Sequence, residues 1–194
     1  MSTNNTDNNI NDASKNLRPL SRYITTHNET GQAIFSTSLS ETMPVQQIPD
    51  SAHFSLAYTS SHFPARLAND SDIPEYARYL EPGNSPGLVI SSGSVCRIVD
   101  VRPGTISPMH RTVSLDYGVV LEGEVELVLD SGETRLLKRG DVAVQRGTNH
   151  AWRNVTPGNS WARMLYVLTP AEGIEVGGVK LGEDLGDMGI RASS

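Results

Sequence analysis

The sequence predicts an all-β protein, built as a sandwich or a barrel of short strands. Three observations predict this class. Short runs rich in strand-forming apolar residues follow one another between residues 88 and 168, and turn signals containing Gly separate them at short intervals. No helical hydrophobic period of adequate length lies between these runs. A chain of 194 residues is long enough for one such domain with a sizeable core.

The N-terminal part of the chain differs in composition from this region. Residues 1–18 are rich in Asn, Ser and Asp, and they bury too little apolar surface to offset chain entropy, so we expect a disordered tail. We assign residues 19–87 to strands and loops that wrap around the barrel. Within them, NETG at 28–31 predicts a hairpin between YITTH and AIFST, and IPEYARYL at 73–80 is the candidate for a short helix.

The predicted barrel core covers residues 88–170. VCRIVDV at 95–101 predicts one strand, and residues 110–121 predict a strand pair or one long bent strand. Residues 122–168 predict four or five further short strands, with DSGE as a tight hairpin turn between EVELVL and TRLLK. Residues 171–194 are Gly-rich and acidic, which predicts a C-terminal extension outside the barrel.

Charge and composition exclude several classes of partner. The net charge of −6, the sequence pI of about 5.3 and the lack of a basic cluster argue against a nucleic-acid partner and a membrane surface. The single cysteine, Cys96, allows no intramolecular disulfide, and the polar N-terminus lacks the apolar segment of a secretory signal. We therefore expect a cytoplasmic protein.

One strand-like stretch carries polar residues on the face that should point inward. Alternation along residues 107–127 places His110, Thr112, Ser114 and Asp116 on one face. A polar face beside core-forming residues is either solvated or lines a site. These four residues lie between Gly104 and Gly123, with five residues before His110 and six after Asp116.

A second glycine-framed segment runs from Gly140 to Asn154 and contains Arg146-Gly147 and His150. Both segments resemble the motifs of the cupin superfamily. The first family motif has Gly, His-x-His, Glu and Gly, and the second has Gly, Pro-x-Gly, His and Asn. The resemblance covers roughly residues 88–170 and implies a cupin-type β-barrel, a double-stranded β-helix or jelly roll.

More narrowly, the sequence resembles small single-domain cupins from fungal gene clusters for aromatic, salicylaldehyde-type polyketides, described as cupin-domain oxidoreductases. This resemblance implies a small-molecule substrate, a role in secondary metabolism and a homodimer. Two-fold homodimers are also the commonest oligomers in general.

The resemblance also implies a metal site. Cupins commonly hold a divalent metal with three His and one Glu, and this chain has His110, Asp116 and His150 at three of those positions, with Thr112 at the fourth. Two histidines and one carboxylate form the facial triad that leaves open positions on Fe(II). The cofactor implied is Fe, with Zn, Mn or Ni as alternatives. In the alternative without metal, the imidazoles are hydrogen-bonded in a polar pocket.

The same three residues are the predicted catalytic residues in both cases. With metal, the reaction is an oxidation or oxygenation; without metal, His110 or His150 acts as a general base, oriented by Asp116, in an isomerisation, dehydration or decarboxylation. A third alternative is a non-catalytic ligand-binding cupin, for which Thr112 in place of a ligand is the sequence argument.

Four residues are predicted to contact the substrate. Trp152 shares the face of His150 and either forms an aromatic wall or fills the barrel. Arg146 either binds a carboxylate or phenolate or braces the turn before His150. Thr112 and Ser114 complete the set because they share the face of His110. Asn154 is predicted to fix a turn through its side chain.

Overall fold

Two antiparallel sheets face each other across the main core of the computed structural model, which describes residues 16–193. The larger sheet has six strands in the order β3-β4-β5-β11-β6-β9, and the smaller has three in the order β10-β7-β8. This arrangement confirms the predicted all-β class. The strands of the larger sheet are β3 (Gln46–Ile48), β4 (Ala52–Ser60), β5 (Ser94–Val101), β6 (Ser114–Glu122), β9 (Val142–Arg146) and β11 (Ala162–Pro170), and those of the smaller sheet are β7 (Glu124–Leu129), β8 (Thr134–Lys138) and β10 (His150–Asn154).

The remaining elements are short. β1 (Thr25–His27) and β2 (Ala33–Phe35) form the predicted hairpin around NETG, and β12 (Ile174–Val176) pairs with β13 (Val179–Leu181). The predicted short helix is α1 (Asp72–Arg78). A 3₁₀ turn over Ala68–Asp70 precedes α1.

The main core lies between the two sheets. Alternate residues on the strands point inward, as the period of two requires. Val99 on β5, Met164 on β11, Val125 on β7 and Trp152 on β10 are all buried in this one cluster. Both sheets therefore contribute their inner faces to a common interior.

The turns at the strand ends fix the register of the barrel. Gly123 joins β6 to β7 with φ of 81°, a left-handed conformation that favours glycine, and a Cβ there would approach Thr156 Oγ1 to 2.4 Å. Asn154 bonds the chain on both sides: its Nδ2 donates to Val101 O at 2.9 Å, and its Oδ1 accepts from Thr156 N at 2.9 Å. This geometry confirms the structural role predicted for Asn154.

The outer face of the larger sheet is covered by N-terminal residues. Tyr76 of α1 is fully buried, and its hydroxyl donates to Leu56 O at 2.8 Å. The structure also shows that β4 pairs with β5 in the main sheet. The boundary drawn at residue 88 between wrapping segments and barrel core stays a prediction. Residues 1–15 of the predicted tail lie outside the described residues.

The C-terminal segment closes part of one end of the barrel. Arg111 N donates to Asp184 O at 2.6 Å, and Arg111 Nε donates to Gly182 O at 2.7 Å. Leu185, Met188 and Ile190 pack against a second buried cluster that includes Val95 and Leu168. Within residues 16–193, no helix is long and apolar enough to cross a membrane.

Candidate functional site

A cavity of about 90 Å³ lies inside the barrel, between the inner faces of the two sheets. Its wall combines apolar side chains with a cluster of polar ones. Five of the site residues predicted from the sequence contribute to it: His110, Thr112, Asp116, His150 and Trp152. The alternation read from the sequence is therefore correct, and it places a buried polar face on the cavity.

His110 and His150 form a close pair in this wall. They face each other on adjacent backbone segments, where His110 N donates to His150 O at 2.8 Å and His150 N donates to His110 O at 2.9 Å. This pairing brings the two ring centroids within 4.2 Å, with 54° between the ring planes. Two imidazoles from distant parts of the sequence thus meet because β10 continues beside the segment that leads into β6.

Each imidazole is held by the carbonyl two residues earlier in the chain. His110 Nδ1 lies 2.9 Å from Pro108 O, and His150 Nδ1 lies 2.9 Å from Thr148 O. A carbonyl oxygen only accepts hydrogen bonds, so Nδ1 carries the proton in both rings. The lone pair is then on Nε2, for which the described part of the chain shows no hydrogen bond.

Burial keeps both rings neutral near pH 7. It lowers the pKa of His150 to about 4, with the neighbouring His110 as a second cause, and it also lowers the pKa of His110. A neutral imidazole with a free Nε2 can accept a proton or a hydrogen bond.

Asp116 is held by two hydroxyl groups on its own strand segment. Ser114 Oγ donates to Asp116 Oδ1 at 2.5 Å, and Thr112 Oγ1 donates to Oδ2 at 3.1 Å. Burial nevertheless raises the pKa of Asp116 to about 6, because desolvation outweighs these bonds and the attraction of Arg97. Ser114, predicted to contact substrate, is fully buried, and its visible role is to position Asp116.

These donor positions do not fit the predicted metal site. Within residues 16–193, no group of three His, Cys, Asp or Glu side chains is arranged to hold a metal ion. Both carboxylate oxygens of Asp116 accept hydrogen bonds from Thr112 and Ser114, so within residues 16–193 the two Nε2 atoms of the histidine pair are the potential ligands of this set without a hydrogen bond. The ligand set of His110, Asp116 and His150 stays a prediction that this geometry does not support.

Trp152 lies at the bottom of the cavity as part of both the core and the wall. Its ring contacts that of His150 edge to face at a centroid distance of 6.1 Å, and that of Tyr166 at 5.8 Å. Trp152 is 5% exposed and belongs to the main core cluster. The two roles left open by the sequence, aromatic wall and barrel filling, therefore coincide in this residue.

The structure does not bring Arg146 to the cavity. Arg146 is exposed on the outer side of β9, whereas its neighbour Gln145 points inward, lines the cavity and is 4% exposed. The chain turns at Gly147 with φ of 62°, so the alternation counted back from His150 does not continue into β9. The structure therefore places Gln145, and not Arg146, in the cavity wall, and a substrate contact at Arg146 stays a prediction that this position does not support.

Sequence reasoning also missed Arg97. It lies in the middle of β5, points into the barrel, lines the cavity and is 6% exposed. In the run VCRIVDV the only available signal is parity: Arg97 alternates with Val95, Val99 and Val101, which are all core residues. Tyr166, paired with Arg97 across β5 and β11, is the second missed residue of the wall.

The barrel and this pocket define the class of the protein. Residues 97–167 match the Cupin_2 family, described as the cupin domain, and the chain belongs to the cupin family. The similarity to curated cupins extends over most of the chain, so the family assignment does not depend on the barrel alone.

Two of the similar fungal proteins are named after biosynthetic clusters, and a third is named as an oxidoreductase. The chain is 52% identical over 172 residues to "Phomopsin biosynthesis cluster protein D" of Diaporthe leptostromiformis, covering 89% of each chain. It is 45% identical over 174 residues to "Oryzines biosynthesis cluster protein J" of Aspergillus oryzae, covering 90% of this chain and 96% of that one. It is 42% identical over 172 residues to "Cupin-domain-containing oxidoreductase fogC" of Aspergillus ruber, covering 86% and 80%.

Among solved structures, the cupin domain of Schizosaccharomyces pombe Cnp3 superposes with a TM-score of 0.45 at 12% identity, covering 78% of this chain and 88% of that one.

Proposed function

We propose that this chain is an enzyme of fungal secondary metabolism that transfers a proton within a small organic substrate held in the barrel cavity. The relatives named after biosynthetic clusters support the setting. The observation that carries the chemistry is the His110–His150 pair, which presents two unprotonated Nε2 atoms to one cavity. That the substrate derives from an aromatic polyketide, and that the enzyme is a homodimer, both stay predictions.

The proposed reaction uses the side chains of the wall alone. An Nε2 lone pair of the histidine pair accepts a proton from a carbon next to a carbonyl, and the electron pair of that C–H bond moves into the substrate. The imidazolium exchanges this proton with solvent, and delivery of a solvent-derived proton to another carbon of the substrate completes an isomerisation. General acid–base catalysis of this kind contributes about 10²- to 10⁴-fold in rate.

The groups around His110 and His150 suit a role in proton transfer. The backbone carbonyls of Pro108 and Thr148 accept from Nδ1 and stabilise each ring when it becomes an imidazolium. Asp116, with its pKa raised to about 6, can exchange a proton with substrate near neutral pH. The apolar part of the wall excludes water and strengthens these interactions.

The test begins with the substrate itself. Deleting the gene in the organism that encodes the chain and comparing extracts by mass spectrometry identifies the compound that accumulates. The purified protein is then incubated with that compound in D₂O, with His150→Gln and His110→Gln alongside. We expect a product with deuterium at one carbon, no uptake of O₂, and a rate that is unchanged by EDTA and lost in both variants.

The name of the Aspergillus ruber relative, a cupin-domain-containing oxidoreductase, favours a second candidate, a metal-dependent cupin oxidoreductase. In this candidate the two Nε2 atoms of His110 and His150 would be the nitrogen donors, and Fe is the metal that the family resemblance implies. Stoichiometric O₂ uptake, or activity lost with EDTA and restored by Fe(II), would establish it and contradict metal-independent proton transfer. A chain that binds the compound without converting it would contradict both and leave a ligand-binding protein.

A further inference from the structure

Arg97 is a buried cation with few partners. Its Nη2 donates to Gly87 O at 2.6 Å, but its Nε has no hydrogen-bond partner, and within residues 16–193 no carboxylate lies within 4.0 Å of its guanidinium. Phe54 covers one side of the group, with its ring centroid 5.6 Å from Cζ. A guanidinium has five N–H donors, and within residues 16–193 the structure shows a hydrogen bond from one nitrogen of this cavity-lining side chain.

Burial of the Arg97 guanidinium without a paired anion destabilises the folded state. Burying a charged group is strongly unfavourable unless it is paired and hydrogen-bonded, and the usual solution for arginine is a carboxylate bound by two parallel N–H···O bonds. Asp116 attracts Arg97 from a distance, but its two oxygens already accept from Thr112 and Ser114. The cavity therefore contains a cation whose close partner is not supplied by the described residues.

A second unused donor lies in the same wall. Gln145 is 4% exposed, lines the cavity with Arg97, and its Nε2 has no hydrogen-bond partner among residues 16–193. It sits directly across from Asp116 in the pairing of β6 with β9. Two buried side chains that line one cavity of about 90 Å³, from β5 and β9, thus each contain a nitrogen without a hydrogen-bond partner among the described residues.

We propose that Arg97 and Gln145 form a subsite for the carboxylate of a small organic acid. The guanidinium fork matches the two oxygens of a carboxylate, and the amide of Gln145 supplies a further N–H. The aromatic and aliphatic side chains of the wall, including Trp152, Tyr166 and Val99, contact the apolar body of the ligand. This inference rests on the proposed function, because it takes the cavity to be the substrate site and names the class of substrate as a carboxylic acid.

The probes are benzoate and benzamide, which share shape and differ in charge. Calorimetric titration of the full chain is expected to show benzoate binding at least about tenfold tighter than benzamide, since hydrogen bonds to charged groups are stronger. Arg97→Met is expected to lose at least about tenfold in benzoate affinity and nothing for benzamide, and Gln145→Leu to lose less. Arg146→Met, which removes the exposed arginine next to Gln145, serves as the matched control with unchanged affinity.

Equal binding of benzoate and benzamide, no benzoate binding to the wild type, or an unchanged benzoate affinity in Arg97→Met would each overturn the proposal. If Arg97→Met fails to fold, Arg97→Lys decides the question: we expect benzoate to bind weakly, because the charge remains and the fork is lost. Retention of full affinity in Arg97→Lys would then contradict the bidentate subsite.

The two proposals fail in different ways. His150→Gln is expected to bind benzoate like the wild type while losing turnover. If the natural substrate proves to be neutral and is still deuterated in D₂O, only the carboxylate subsite is wrong. If carboxylates bind through Arg97 but no deuterium enters the product, only the proton transfer is wrong.

Discussion

The two faces of the six-stranded sheet each bury one arginine, and the two arginines have different partners. On the outer face, Arg163 is 4% exposed and binds Asp100 through two bonds, Nε–Oδ1 at 2.5 Å and Nη2–Oδ2 at 2.9 Å. Its Nη1 also donates to Arg18 O at 3.0 Å. On the inner face, Arg97 is 6% exposed and has one bonded nitrogen, which donates to a carbonyl.

The difference separates a structural charge from a functional one. Arg163 and Asp100 sit opposite each other on β11 and β5, so the fold itself satisfies the charge and ties the N-terminal segment to the sheet. Arg97 and its neighbours on the inner face are left with open donors and acceptors. We infer that the inner face is arranged for a ligand and that the outer face is arranged for stability.

The largest effect on stability is expected at the Arg163–Asp100 pair on the outer face of the sheet. Arg163→Met removes the guanidinium that binds the buried carboxylate of Asp100, and breaking a buried pair in this way costs about 3–5 kcal/mol. Urea unfolding of the variant measures the loss. The control is Arg153→Met, which removes an exposed pair with Glu126 and should cost less than about 1 kcal/mol. Equal, small losses in both variants would contradict the structural role of Arg163.

The next largest effect concerns turnover. His150→Gln and His110→Gln should each lower the rate about 10²- to 10⁴-fold, because they remove a proton acceptor from the cavity. Their melting temperatures should change far less than that of Arg163→Met. Steady-state kinetics with the accumulated compound provides the measurement. Wild-type rates in either variant would show that the imidazole concerned only fills space.

The third prediction uses the raised pKa of Asp116. Between its ordinary value of 3.8 and about 6, the unfolded state ionises while the folded state keeps the proton, so this group destabilises the fold increasingly as pH rises through that window. Asp116→Asn lacks this dependence. The stability of the variant relative to the wild type should therefore increase from pH 4 to pH 7, by about 3 kcal/mol at most.

Urea unfolding at four pH values between pH 4 and pH 7 measures the difference in the free energy of unfolding between Asp116→Asn and the wild type. The lowered pKa of His150 acts in the opposite direction, but it is common to both proteins and largely cancels. The charged or titratable groups that act on Asp116 from neighbouring strands are Arg97 and Tyr166, which are also common to both. A difference that is flat or falls with pH would mean that Asp116 is ionised in the folded state well below pH 6.

The smallest effect is expected for Arg97 itself. Without ligand, Arg97→Met replaces a buried cation by an apolar side chain of similar length, and such replacements are often neutral or stabilising. We expect the free energy of unfolding to fall by no more than about 1 kcal/mol or to rise, in contrast to Arg163→Met. A loss as large as that of Arg163→Met would place both arginines in the same structural class.

The sequence was informative where local periodicity governs position. Alternation predicted that His110, Thr112 and Asp116 share an inward face, and the glycine-framed motifs predicted the barrel. The prediction at Arg146 rests on the chemistry of the guanidinium, and strand parity counted from His150 does not place this residue, because the left-handed turn at Gly147 interrupts the alternation between β9 and β10. For Arg97 the only sequence signal is its parity with the valines of VCRIVDV, and the packing of β4, β5 and β11 is needed to show that this cation is buried.

The hydrogen-bond partners of Asp116 illustrate a second limit of prediction from the sequence. Motif spacing placed a carboxylate where the family has a ligand, but it could not show that Thr112 and Ser114 on the same face would donate to both of its oxygens. These short-range bonds depend on side-chain rotamers rather than on strand parity.

The most direct measurement is a crystal structure of the chain with 4-bromobenzoate, in which the anomalous signal of bromine locates the ligand. We expect the carboxylate within hydrogen-bonding distance of the Arg97 guanidinium and the Gln145 amide, and the ring in the barrel beside Trp152. A direct ion pair between Arg97 and Asp116, with the ligand outside the barrel, would contradict this expectation.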